Sequence, residues 1–232
     1  MHLVKYWYLE DSFNMMKRLG MKTMMSLCEL LVMKSYRKGQ VVHEETEDGN
    51  MIYFIKEGFV KIGKRNEEGE EFLKYVLGKG HIFGEMKLIS GEGNEYFAYA
   101  MDECKICFIE TDRMEKMMEA YPRLHNSILK ISGLKFNKVE RRLDDLLYKD
   151  AETRIKEFLL EYMQEHGEMK DEEVVAKNIF SQKDIAKLTS TSRQTVNNVV
   201  SALRKLGDIT YDRKQISVKR ELLQISQILT ED

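Results

Sequence analysis

Between Ser181 and Ile209 the chain reads SQKDIAKLTSTSRQTVNNVVSALRKLGDI. Arg193, Gln194, Asn197 and Asn198 are spaced so that a helix would gather them on one face, opposite Val196, Val199, Val200, Leu203 and Leu206. A guanidinium fork and carboxamides on the first turns of a helix are groups that pair with base edges in a major groove. Arg193 suits guanine, whereas Gln194 and Asn198 favour adenine edges. Ser181, Ser192 and Thr195 can cap helices or hold phosphates. Arg213 and Lys214, near the tip of ITYDRKQISV, add cations that neutralise phosphates. The partner these residues imply is double-stranded DNA.

A second stretch, GHIFGEMKLISGEGNEYFAYA from Gly80 to Ala100, suggests different chemistry. Glycines let backbone amides approach an anion, here around Gly84 and Glu85. Such a site also wants a fixed cation, and between Gly84 and Ala100 the only one is Lys87.

The elements that must position these groups follow from local signals. Ser181 and Asp184 make an S-x-x-D helix start, TSTS breaks that helix, Ser192 caps the next and Gly207 ends it. ITYDRKQISV alternates as a hairpin, completing a winged helix-turn-helix. Upstream, from Tyr36 to Thr111, short β-type runs (QVVH, MIYFIKEGFVKIGK, EFLKYVLG, YFAYA, CKICFIE) alternate with turn signals, which predicts an all-β roll or sandwich. Residues 12–34 read as short Met-rich helices, and EMKDEE as an acidic loop. Thr111 is the expected N-cap of a helix that Pro122 restarts. From Pro122 a helix of nearly thirty residues carries Leu129, Phe136, Val139, Leu143 and Leu146 at steps suited to a helical partner. A second stripe, Leu124, Ile128 and Ile131, is placed to pack on the β region. The expected class is α+β: a double-stranded, jelly-roll-like β-roll over 1–112, a dimerisation helix region over 113–149, and a winged helix-turn-helix over 150–232. The molecule is expected to be a homodimer.

Charge agrees with that division. Ten cations against three acids between Lys177 and Arg220 leave that stretch at +7 and the remainder at −9, within a net charge of −2. A basic module on an acidic body suits a polyanion partner. No H-E-x-x-H, G-x-S-x-G or P-loop occurs, so no enzyme is expected. No apolar run reaches the length of a membrane span and Glu10 and Asp11 interrupt the opening segment, so the expected compartment is the cytoplasm, with no membrane partner. Three cysteines make no disulfide framework. Cys104 and Cys107, three apart on a strand, should point to opposite faces as buried structural residues.

With these residues in order, the chain resembles the CRP/FNR family of bacterial transcription regulators. MIYFIKEGFVKIGK is similar to the family's roll strands, GHIFGEMKLIS to its G-x-x-x-G-E element, and SRQTVNNVVSALRKLGDI to its recognition helix. The resemblance implies a homodimer on a two-fold symmetric operator, recruiting or blocking RNA polymerase. It also implies that Arg193, Gln194 and Asn198 read bases. Gln194 stands where the family commonly has Glu, and Asn198 where it has Arg, so the half-site should differ from a TGTGA-like element. Cyclic-nucleotide binders place an Arg-Ser or Arg-Thr pair where this chain has Tyr96 and Phe97. Helix hydroxyls that help such binders become Val139 and Glu140. Cyclic AMP is therefore not expected, and no cofactor is assigned. Two readings stay open: a pocket near Tyr96, Phe97, Tyr99 and Val139 takes an apolar or planar effector, or the aromatics fill it themselves. An iron–sulfur cluster wants four cysteine ligands, more than this chain has. His43, His81 and Cys104 are candidate haem ligands, but no metal is assigned. The rival function is a ligand, redox or haem sensor of the same fold acting mainly through protein partners.

Overall fold

The computed structural model describes residues 15–45, 50–91 and 96–223, and its contacts divide the chain into two units, Met1–Val139 and Glu140–Asp232.

In the first unit, helix α1 (Met15–Leu30), broken at Gly20, leads into strands β1 (Val32–Tyr36), β2 (Val41–His43), β3 (Met51–Glu57), β4 (Val60–Arg65), β5 (Glu71–Leu77) and β6 (Ile82–Phe83). A short helix α2 (Lys87–Ser90) precedes β7 (Phe97–Ala100) and β8 (Cys104–Glu110). The strands form two four-stranded sheets, in orders β1-β8-β3-β6 and β2-β7-β4-β5, and every pairing is antiparallel. Alternation along each strand divides the apolar residues between two cores. Tyr53 and Ile55 of β3, with Cys104 and Ile106 of β8, join the core that also holds Tyr96, just before β7, and Ala98 and Ala100 of the second sheet. Ile52, Phe54, Cys107 and Ile109 join the other core, beneath the helices. Cys104 and Cys107 thus occupy opposite faces of β8, as their spacing required.

Two local expectations change here. The helix ends at Leu30, and Val32–Tyr36 pairs with β8 as a strand. A short apolar run such as LLVMK has no period that decides between helix and strand, and the unpaired edge of β8 decides it. Helix α3 (Thr111–Ala120) is preceded by Glu110 as N-cap, without a side-chain cap. Thr111 is its first residue, because its backbone N–H is already given to the Asn50 carbonyl at 2.8 Å. The part of the predicted Met-rich helices before residue 15 lies outside the described residues.

Helix α4 (Pro122–Tyr148) has 27 residues. Its stripe of Leu124, Ile128 and Ile131 is buried with Met114, Met117 and Met118 of α3 and with Met24 and Leu27 of α1, against Ile52 and Phe54. Leu129, Phe136, Val139, Leu143 and Leu146 are all exposed, Phe136 at 61%. Burying one such side chain is worth about 1.5–3 kcal/mol, so the row is a large unused apolar face.

In the second unit, α5 (Ala151–His166) is capped by Asp150, whose side chain accepts from the Thr153 N–H at 2.7 Å. EMKDEE is not a loop. It makes β9 (Glu168–Lys170) and the start of β10 (Glu173–Lys177), turned at Asp171 with φ of 56°. Pairing of β10 with the wing strand β12 (Gln215–Lys219) supplies the ladder that local composition does not reveal. With β11 (Ile209–Tyr211) these form an antiparallel sheet in the order β11-β12-β10-β9. Between β10 and β11 lie helices α6 (Gln182–Leu188) and α7 (Arg193–Leu206). Among the described residues no helix is long and apolar enough to cross a membrane.

Candidate nucleic-acid interface and effector loop

Helix α6 begins at a reciprocal capping box. Ser181 Oγ accepts from the Asp184 N–H at 3.1 Å, and Asp184 Oδ2 accepts from the Ser181 N–H at 3.0 Å. Ser192 Oγ caps α7 by accepting from the Thr195 N–H at 3.0 Å, and the two hydroxyls lie 2.9 Å apart. The hydroxyls assigned to phosphate positioning therefore also set where both helices start. Gly207, left-handed at φ 74°, ends α7.

Val196, Val199 and Val200 bury one face of α7. Arg193, Gln194, Asn197 and Asn198 stand exposed on the other, gathered on its first two turns. Leu206 does not join the buried face. It is 71% exposed, because the chain turns away at Gly207 immediately after it.

Two arginines brace the segment between the helices. Arg154 donates to the carbonyls of Thr189, Ser190 and Lys149 at 3.1, 3.3 and 2.6 Å. Arg142 donates to the carbonyl of Lys187 at 3.3 Å. Cations on the C-terminal carbonyls of α6 satisfy orphan acceptors and oppose the helix dipole. At the wing, Asp212 Oδ1 accepts from the Lys214 and Gln215 N–H groups at 2.6 and 2.8 Å, leaving Arg213 and Lys214 exposed at the turn. Those backbone donors hold the Asp212 carboxyl below its ordinary range.

The loop of the first unit is built differently. Gly84 has φ of 89°, and a Cβ there would lie 2.3 Å from the Met51 carbonyl oxygen, so no other residue fits. Next to it Glu85 is buried, with 1% exposure. Its cation is not Lys87, which bonds Asn50 Oδ1. It is Lys135 of α4, whose Nζ lies 2.7 Å from Glu85 Oε1 and donates at 2.6 Å to the Ile82 carbonyl. Lys135 stands fifty positions away in the chain, and no pattern around GHIFGE points to it.

Tyr96 and Phe97 do not line one pocket. Neighbours on an extended chain face opposite sides. Tyr96 turns into the core between the sheets, its ring 4.8 Å from His43 and 6.2 Å from Phe83. Its Oη is buried without a hydrogen bond among the described residues. Burial above all, then the proximity of Tyr53 and Glu85, pushes that hydroxyl far above the ordinary tyrosine range. Phe97 turns the other way, packed under the Arg65 guanidinium at 4.8 Å and beside Tyr99 at 5.2 Å. Arg65 donates to Glu44 Oε2 at 3.1 Å and to Tyr99 Oη, and Tyr99 Oη donates to Glu44 Oε1 at 2.7 Å. That tyrosine bond, followed by Arg65, holds the Glu44 carboxyl below its ordinary range. Arg65 is the second cation that sequence reading missed, because it reaches the aromatics from strand β4. Val139 and Glu140 are exposed.

Cys104 is buried with its Sγ donating to the Phe59 carbonyl at 3.2 Å. Burial, then the Asp102 charge, pushes its thiol up to about 11. Among the described residues no cluster of His, Cys, Asp or Glu is placed to hold a metal ion.

Comparison with known proteins accords with both units. Residues 33–121 match the cyclic nucleotide-binding domain family and residues 153–224 the Crp-like helix-turn-helix domain family. A "CRP-like cAMP-activated global transcriptional regulator" of Mycobacterium tuberculosis is 25% identical over 183 residues, covering 79% of this chain and 82% of its own. The "Anaerobic regulatory protein" of Bacillus subtilis is 24% identical over 194 residues, covering 82% of each. The structure of FixK2 from Bradyrhizobium japonicum shares the fold, with a TM-score of 0.73, 22% identity, and coverage of 84% of this chain and 96% of that one. The chain belongs to the CRP/FNR family of transcription regulators. It is a DNA-binding regulator with an α+β fold, and its family are not enzymes.

Proposed function

We propose that this regulator acts as a homodimer on a two-fold symmetric operator, reading each half-site with α7 and controlling the access of RNA polymerase, in the cytoplasm. The observation that carries the reading is the capped start of α7, with Arg193, Gln194, Asn197 and Asn198 exposed above a buried valine face. Arg213 and Lys214, with Ser181, Ser192 and Thr195, are the phosphate contacts of this interface. The exposed row from Leu129 to Leu146 supplies the dimer seam, since a helix of this length with one buried and one bare apolar stripe calls for a second copy. Gln194 and Asn198 give a half-site unlike TGTGA, and each altered contact is worth about 1–3 kcal/mol.

The loop at Gly84 and Glu85 does not take a cyclic nucleotide in this reading. The relatives carry different signals in their own names: cyclic AMP in one, and OCPA in a solved complex of CprK. Here Glu85 is neutralised from within by Lys135, and Tyr96 fills the space between the sheets. Positions 96 and 97 carry no arginine of their own, and Arg65, which lies over Phe97, is already engaged by Glu44 and Tyr99. Enrichment of random duplexes by the purified protein tests the whole reading. A palindromic motif, lost steeply with salt, supports it. A TGTGA-like motif refutes the assigned base contacts, and salt-indifferent binding favours a sensor working through protein partners.

A further inference from the structure

The amides of the helix-turn-helix are coupled to one another. Gln194 Nε2 donates to Asn198 Oδ1 at 2.9 Å, an ordinary pair one turn apart on α7. The second couple is different, because it crosses between helices. Gln182 Nε2, at the start of α6, donates to Asn197 Oδ1 at 3.2 Å on α7. Gln182 is half-buried, whereas Asn197 is exposed on the face that carries Arg193.

A carboxamide offers one acceptor oxygen and two N–H donors. An unrestrained asparagine turns either end outward and suits several bases. Asn197 is restrained, for its Oδ1 already accepts a hydrogen bond from Gln182 Nε2. With Oδ1 turned towards Gln182, the Nδ2 end of the amide is the one turned away from it, so its donors are offered outward first. The backbone that carries Gln182 is fixed, since Ser181 before it and Asp184 after it close the capping box.

We propose that Gln182 is a specificity-determining residue, acting through Asn197 rather than by touching a base. By engaging Asn197 Oδ1, it makes the base facing Asn197 one that presents acceptors in the major groove, guanine or thymine. Cytosine, which offers only a donor there, is selected against, and the bidentate adenine edge loses its acceptor partner. This rests on the reading of α7 as the recognition helix.

The test is duplex enrichment with the full-length protein, followed by titration of single-base variants of the enriched site. Gln182→Ala and Asn197→Ala should relax preference at the same base pair, each by about tenfold, and the double variant should relax it no further. Gln182→Glu carries the sharper expectation. A carboxylate only accepts, so it draws the Asn197 Nδ2 inward, frees Oδ1 and moves the preference at that base pair towards cytosine or adenine. Melting temperatures establish that each variant is folded. If Gln182→Ala leaves the motif unchanged, or weakens all sequences evenly, the proposal is overturned while α7 remains the reader. If the wild-type protein shows no salt-dependent duplex binding, the reading of α7 falls and the proposal falls with it.

Discussion

The two units place their polar chemistry on opposite sides of their surfaces. In the C-terminal unit the valines of α7 are buried, and a guanidinium and three carboxamides face solvent. In the roll the order is reversed at the loop. Glu85 lies inside, bound to Lys135, and the aromatic ring of Tyr96 occupies the interior. The surroundings of the glycines and the glutamate are set by a side chain that reaches them from elsewhere in the chain, here Lys135. Whether such a loop is open depends on which side chains reach it from elsewhere in the chain.

The largest expected effect lies at the buried ion pair of that loop. Lys135→Met leaves Glu85 buried and unpaired, which should cost about 3–5 kcal/mol of stability. Urea denaturation of the variant measures it. Combining it with Glu85→Leu should restore most of the loss, because an apolar pair needs no counter-charge. A Lys135→Met protein as stable as wild type would show that the ion pair does not close the loop.

Next in size is the exposed helical row. Phe136→Glu should split the proposed dimer, since an unpaired carboxylate cannot be buried in an apolar seam. Operator affinity should then drop about a hundredfold, because two linked half-sites become one. Sedimentation and titration read the two effects separately.

Legibility in the sequence followed the range of the interactions. The caps at Ser181 and Ser192, the valine face of α7 and the wing hairpin all depend on residues within a few positions, and the pattern SQKDIAKLTSTSRQTVNNVVSALRKLGDITYDRKQISV displays them. The buried stripe of Leu124, Ile128 and Ile131 was legible for the same reason, as helical periodicity marks it. Lys135 and Arg65 were not legible, since each reaches its partners across strands or from a distant helix. Strand β9 was hidden because its acidic composition argues for a loop, and pairing with β10 overrides that preference. The division of Tyr96 from Phe97 could have been foreseen, since adjacent strand residues must face apart.

Arg193→Ala sharpens the open side of the comparison. Loss of one base-pairing guanidinium should cost about 1–3 kcal/mol on the selected site. Binding to random duplex should weaken far less. Equal losses on both would make Arg193 a phosphate contact.

The smallest effect concerns Cys104. With its thiol pushed from near 9 up to about 11, the folded protein favours the protonated form. Its contribution to stability is complete below about pH 9 and is lost as pH rises through about 11, with Tyr96 shifted in the same direction by burial. Iodoacetamide labelling of the native protein at pH 8 should therefore be slow at Cys104 and become rapid only on unfolding. Prompt labelling, read by mass spectrometry, would reopen a redox role.

The most direct test of the central claim is the affinity of the purified full-length protein for its enriched duplex. Fluorescence anisotropy at two salt concentrations, with and without cyclic AMP or cyclic GMP, measures it. The expected result is tight binding that falls steeply with salt and that neither cyclic nucleotide changes. Binding that appears only when a cyclic nucleotide is added would contradict it.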